Sequence, residues 1–177
     1  MNLVLILLSF FALCVAGNGS EPAKPLGKAN VLPLALDDHF QFRKFKSYRL
    51  DPNLDQKNRS GMLNDQSNAT FDFLKQRTYF GAVTSQDKKE REGEYFTFFW
   101  KATVPADITV RFEYRQEKLE NHVQAREISC PNAKGNMTTK FAIVGDDYYE
   151  DGRITAWRAL LIQDGKIVGL TQSYLWN

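Results

Sequence analysis

Histidine and cysteine are scarce in this sequence, with two of each in 177 residues. His39 and His122 stand on separate segments, and neither has a second nitrogen or sulfur ligand at a metal-binding spacing, so no catalytic zinc site is expected. Cys14 falls in the N-terminal apolar run, which leaves Cys130 alone once that run is removed, with no intramolecular disulfide to staple the fold. A chain of this length buries an adequate core without staples. A surplus of charge is lacking too: 23 basic residues face 21 acidic ones for a net +2, so no global field draws the chain to nucleic acid or to an anionic membrane. There is no G-x-S-x-G elbow, no glycine-rich phosphate loop and no nucleophile set beside a base. Fixed-period repeats are absent as well.

What is present begins with one long apolar run, "MNLVLILLSFFALCVAG". It is uncharged, short for a spanning helix, ends in small residues and gives way at once to the polar "NGSEPAKP", the pattern of a secretory signal over residues 1–17. The mature chain is therefore expected to be secreted or periplasmic with no transmembrane segment, the alternative being an uncleaved N-terminal membrane anchor. Lipidation at Cys14 would want a small side chain where Leu13 stands.

Residues 18–38 hold Pro22, Pro25 and Pro33 with little periodicity, and are expected to form a linker or surface arm ahead of a single domain over 39–177. "HFQFRKFKSYRL" alternates with a phase slip near Phe45, which predicts a strand with a bulge. Residues 51–68 are a polar loop. "ATFDFLKQRTYFGAVT" favours two short strands on its Thr, Tyr, Phe and Val content. "SQDKKEREG" offers Ser85 as an N-cap and Gly93 as a stop for a short surface helix.

From Glu94 onward the pattern is β. "EYFTFFWKAT" and "DITVRFEYRQ" flank "VPAD", and the second puts Ile108, Val110, Phe112 and Tyr114 on a buried face and Thr109, Arg111, Glu113 and Arg115 on a wet one. "HVQAREIS" and "MTTKFAIV" flank the turn-like "CPNAKGN", where Cys130 is expected as a half-buried structural thiol. "RITAWRALLI" and "KIVGLTQSYLW" surround "QDGK", whose Asp164-Gly165 pair suits a type I′ hairpin. Six strands over 94–176 predict an all-β, antiparallel Ig-like β-sandwich with one short surface helix and an irregular N-terminal extension.

The segments "YFGAVTSQDKKEREGEYFTFFW" and "GDDYYEDGRITAWRALLIQDGKIVGLTQSYLW" resemble a group of uncharacterised exported bacterial proteins with an Ig- or fibronectin-III-like sandwich, over roughly residues 79–177. The resemblance implies export and a non-catalytic β module, and carries no catalytic residues. The chain departs from antibody-type domains in having no paired core cysteines, with Trp157 available for the core position beside them.

The densest chemistry lies in "GDDYYEDGRITAWR". Asp146, Asp147, Glu150 and Asp151 are the candidate metal ligands, with Ca2+ the cation such a loop would take. An EF-hand frame from Asp147 fails, because Tyr149 falls at its third position and Arg158 at its twelfth. Asp and Gly are equally what a solvated turn between strands requires, and that is the favoured reading. Tyr148 and Tyr149 are the candidate ligand-binding aromatics, while Trp100, Trp157 and Trp176 would make a sugar platform only if they left the core. "FRKFKSYR" interleaves cations and rings in the manner of a polyanion or nucleic-acid track. Balanced overall charge favours instead a strand with one wet and one buried face. Sequons begin at Asn18, Asn58, Asn68 and Asn136. The sequence therefore points to an exported, non-catalytic binding or structural module without a resident cofactor, its partner an unknown protein or glycan and not nucleic acid. A carbohydrate-binding module aided by Ca2+ is the alternative.

Overall fold

The computed structural model describes residues 23–27, 30–52 and 65–176, with the backbone alone for 65–71. The apolar run expected to be a signal, Cys14, the sequons at Asn18 and Asn58 and most of the expected polar loop lie outside these residues. Within them the protein is mostly antiparallel β-sheet. The strands are β1 (Lys24–Leu26), β2 (Phe40–Leu50), β3 (Gly93–Gln116), β4 (Gln124–Val144), β5 (Ile154–Gln163) and β6 (Lys166–Gln172). Three short helices accompany them: α1 (Asp65–Tyr79), α2 (Ser85–Lys89) and α3 (Asp146–Asp151). Among the described residues no helix is long and apolar enough to cross a membrane.

All six strands hydrogen-bond into one sheet, in the order β1-β4-β3-β5-β6, with β2 also paired to β3. The expected division into two separately bonded sheets is not what the pairing gives. The "VPAD" and "CPNAKGN" stretches, which carry turn residues, do not end strands: β3 runs unbroken for 24 residues and β4 for 21. Their ladder instead slips twice between Ala102 and Ile108, opposite Gly135 and Cys130. Extra residues of this kind leave a ladder intact but bend it sharply. Pro105, which has no N–H to donate, sits within the first slip, and Asn132 and Gly135 take positive φ on the facing strand.

The bend is large enough to fold the sheet over on itself. Phe96 and Phe112 belong to the same strand and would stand about 53 Å apart if it were straight, yet their ring centroids are 4.9 Å apart. Phe98 and Phe112 are likewise at 5.5 Å. One layer thus holds β2, the first half of β3 and the second half of β4. The other holds β1, the first half of β4, the second half of β3, β5 and β6. The even-numbered side chains of β3 fill the space between the layers, with Phe98, Trp100, Ile108, Val110, Phe112 and Tyr114 all buried. Trp157 joins them, packed edge-on to Phe98 at 5.4 Å. The indole N–H of Trp100 is met by the Thr139 hydroxyl at 2.9 Å, so this core carries its polar atom satisfied.

The proline-containing arm is stitched to both sides of the sheet. Residues 24–26 form β1 against β4, and 33–37 lie parallel to β6 through Ala35 N–H to Ile167 O and Asp37 N–H to Val168 O. Such cover removes open strand edges that would pair with other chains. The face expected to be wet is covered too. Arg111 and Glu113 are 7% and 2% exposed, and they belong to a ladder in which Arg111 donates to Glu127 and Arg158 donates to Glu113. Arg111 also reaches the Asn30 carbonyl of the arm, while Trp176 lies on the Arg115 and Arg158 guanidiniums at 4.8 and 4.9 Å.

Two local expectations change. "ATFDFLKQRTYF" is helix, not strand: Leu74, Lys75, Gln76 and Arg77 are good helix formers, Thr78 turns its hydroxyl back onto the Leu74 carbonyl, and Gly81 follows with φ of +83°. The cap of α2 is Thr84 rather than Ser85, its hydroxyl accepting from Asp87 N–H while the Asp87 carboxylate accepts from Thr84 N–H. Gly93 does not stop this helix but opens β3. The predicted bulge in β2 is present between Phe42 and Lys44, and Asp164 and Gly165 both have positive φ, as a type I′ turn demands.

Candidate functional site

The acidic segment is a helix. Between Gly145 and Gly152, both at positive φ, α3 makes one and a half turns that are bolted to the mouth of the folded sheet. The Gln116 amide donates to the carbonyls of Asp147 and Gly152 at 2.7 Å each, and Lys118 donates to the Tyr149 carbonyl. The four carboxylates do not converge. Asp147 pairs with Arg126, Asp151 accepts from Gln124 at 3.0 Å, and Asp146 and Glu150 are exposed. Among the described residues no three His, Cys, Asp or Glu side chains are grouped to hold a metal ion.

Tyr148 and Tyr149 point into the structure. Tyr148 is buried and donates to Asp51 at 2.9 Å, and Tyr149 donates to Glu92. Burial first, then the accepting carboxylate, raises both phenols well above the usual range. Both act as neutral donors that hold α3 in place. Trp100, Trp157 and Trp176 are also buried, so none of the three tryptophans offers a ring face to a sugar. His39 is exposed beside Asp37 at 2.7 Å, and its contact holds the Asp37 carboxyl below the usual range. His122 is exposed on the β3–β4 connection. Cys130 is half-buried in β4 at the bend, packed against the core. Asn136 is exposed on β4.

Glu94 lies near the same mouth and is 5% exposed. Arg49 donates to it at 2.7 Å, but burial outweighs the arginine and raises its pKa above the ordinary 4.5. A carboxyl whose folded pKa is raised contributes stability that is complete below its unfolded value and is lost as pH climbs through the folded one. Urea unfolding of wild type and Glu94→Gln from about pH 4 to pH 7 is therefore expected to show the wild type losing ground to the variant as pH rises from about 4.5. A constant difference across that interval contradicts the assignment.

A concavity lies elsewhere. A groove of about 540 Å3 lies between α1 and the outer face of the layer that holds β2, within the usual size of a ligand pocket. Its rim and walls carry Lys46, Arg77, Arg91 and Lys140, and among the described residues no carboxylate lines it. Lys46, Arg77 and Lys140 make no ion pair among the described residues. Arg91 is also structural, donating to the Thr78 and Phe80 carbonyls and so pinning the end of α1. Tyr48 and Tyr95 stack on one another at 4.7 Å and 6°. Tyr95 donates to the Arg91 carbonyl at 2.6 Å, with burial pushing its pKa up to about 12.

Cross-strand register assembles this groove. Lys46 pairs with Thr97, and Thr97 with Lys140, so the two lysines flank one threonine on one face. "FRKFKSYR" did signal Lys46 and Tyr48. Lys140 and Arg77 gave no local sign, because they reach the groove through long-range pairing and through a helix whose composition favoured strand. No family model matches the chain, and no curated protein or solved structure matches it either.

Proposed function

We propose that this is an exported, non-catalytic β module that works by binding, and that it binds in the groove between α1 and the outer face of β2, β3 and β4. The observation that carries the reading is a ligand-sized hollow lined, among the described residues, by cations and rings and by no carboxylate. Export is supported by the signal pattern of residues 1–17 and by the resemblance of residues 79–177 to exported bacterial β proteins. The Ig-like comparison belongs to the same proposal: two facing β layers with Trp157 in the core support it, with unbroken strands joining the layers. Non-catalytic action is supported by the sequence, which has no G-x-S-x-G elbow and no glycine-rich phosphate loop. The alternative of a Ca2+-assisted carbohydrate module loses its main props, since the tryptophans are buried and Asp147 and Asp151 are engaged within the protein.

Filling the groove tests the reading. Thr97 is half-buried at its centre, and Thr97→Trp is expected to abolish retention of whatever ligands the wild type captures on an array of glycans, while the urea midpoint stays close to that of wild type. Captured ligands that ignore Thr97→Trp would place binding elsewhere.

A further inference from the structure

We infer that the ligand of this groove is an acidic polysaccharide, a chain of sugars bearing sulfate or carboxylate groups; the inference rests on the groove being the binding site. Four successive cross-strand rows make up this face: Gln41, Lys101 and Asn136; Lys44, Phe99 and Thr138; Lys46, Thr97 and Lys140; Tyr48, Tyr95 and Ala142. These twelve positions hold four lysines and no carboxylate. Arg77 adds a further cation from α1.

The other layer's outer face shows how this protein treats charge that only has to be housed. There Arg111, Glu113, Glu127 and Arg158 alternate in sign and pair. With a net charge of only +2, an unpaired lysine strip is a local feature and not the spillover of a basic chain. Like charges set side by side cost stability unless a counter-charge arrives from outside.

The layout favours a chain over a small anion. Lys46 and Lys140 stand two strand spacings apart, about 9.5 Å between backbones, and Lys44 and Lys101 carry the strip about 7 to 13 Å farther along the strands, past the hollow itself. A single small anion would meet one end of it. The rings argue against nucleic acid, which needs free π-faces for its bases. Tyr48 and Tyr95 are stacked on each other, and Phe99 is capped by the Lys44 ammonium at 4.9 Å. Ionic contact to groups spaced along a polymer is what remains.

The test is calorimetric titration of the mature protein at about 0.15 M salt with size-defined heparin oligosaccharides, fully desulfated heparin, polygalacturonate, neutral dextran and single-stranded DNA of matched charge. The expected result is binding to at least one acidic glycan, none to dextran, and affinity that falls as salt rises, as ion release requires. Lys46→Glu with Lys140→Glu should weaken binding at least about tenfold, and Lys24→Glu with Lys166→Glu, at exposed lysines of the other layer, should change it less than about twofold. Heparin alone assigns sulfate; desulfated heparin or polygalacturonate assigns carboxylate. The inference falls if no acidic glycan binds, if the Lys46/Lys140 reversal has no effect, or if DNA binds as tightly. If an array ligand that Thr97→Trp abolishes proves uncharged, the groove stands as the site and the acidic-polysaccharide assignment alone is lost.

Discussion

Gly93→Ala is expected to cost about 4 kcal/mol or more, enough to leave a typical domain barely folded. Gly93 opens β3 at φ of +147°, and a Cβ there would drive into the Ile143 carbonyl oxygen and stand 2.8 Å from the Val144 Cα. Both obstacles are backbone of the paired strand, so no side-chain rotation relieves them. Gly135→Ala provides the comparison: its φ is +82°, but nothing lies within 4 Å of the added methyl, and a loss of about 1–2 kcal/mol reflects the left-handed conformation alone. Urea denaturation of both variants measures the gap. Equal losses would mean that close approach at Gly93 contributes nothing.

Phe98→Ala is expected to lose about 3–5 kcal/mol, the usual range for emptying a buried aromatic position. Its ring is fully buried and lies within 6.5 Å of the rings of Phe42, Phe45, Phe96, Phe112, Phe141 and Trp157. Those neighbours come from β2, β4, β5 and both halves of β3, so the vacated volume opens at the centre of the packing between the layers. Phe73→Ala, at a ring 61% exposed on α1, should stay within about 0.5 kcal/mol of wild type. A midpoint for Phe98→Ala near that of Phe73→Ala would contradict the layered core.

The β character and the inward faces were legible in the sequence because alternation is local: Ile108, Val110, Phe112 and Tyr114 announce a buried face by spacing alone. The hairpin at Asp164-Gly165 was legible for the same reason. What misled were residues with more than one use. Pro105 and the Pro-Asn-Gly stretch after Cys130 signal turns, but a bulge uses the same chemistry, and only the partner strand decides whether a chain reverses or merely bends. Glycines 145 and 152 with their intervening acids suggested a loop, whereas the Gln116 amide gathers the carbonyls of a helical turn. The wet face of β3 was misjudged because its cover, the arm and Trp176, comes from distant sequence. The lysine strip was half visible in "FRKFKSYR"; its meaning needed Lys140, which lies 94 residues beyond Lys46 (140 minus 46).

Because β3 and β4 thread both layers without interruption, neither layer exists as a separable unit. Cutting the polypeptide at Pro105 would sever the very ribbon that supplies each half with its central rungs, so two fragments could regain a hydrophobic interior only by finding each other. A ligand held across Lys46 and Lys140, as proposed, would therefore grip a surface whose reverse side is the shared interior, and its binding would be felt as resistance to melting of the whole molecule.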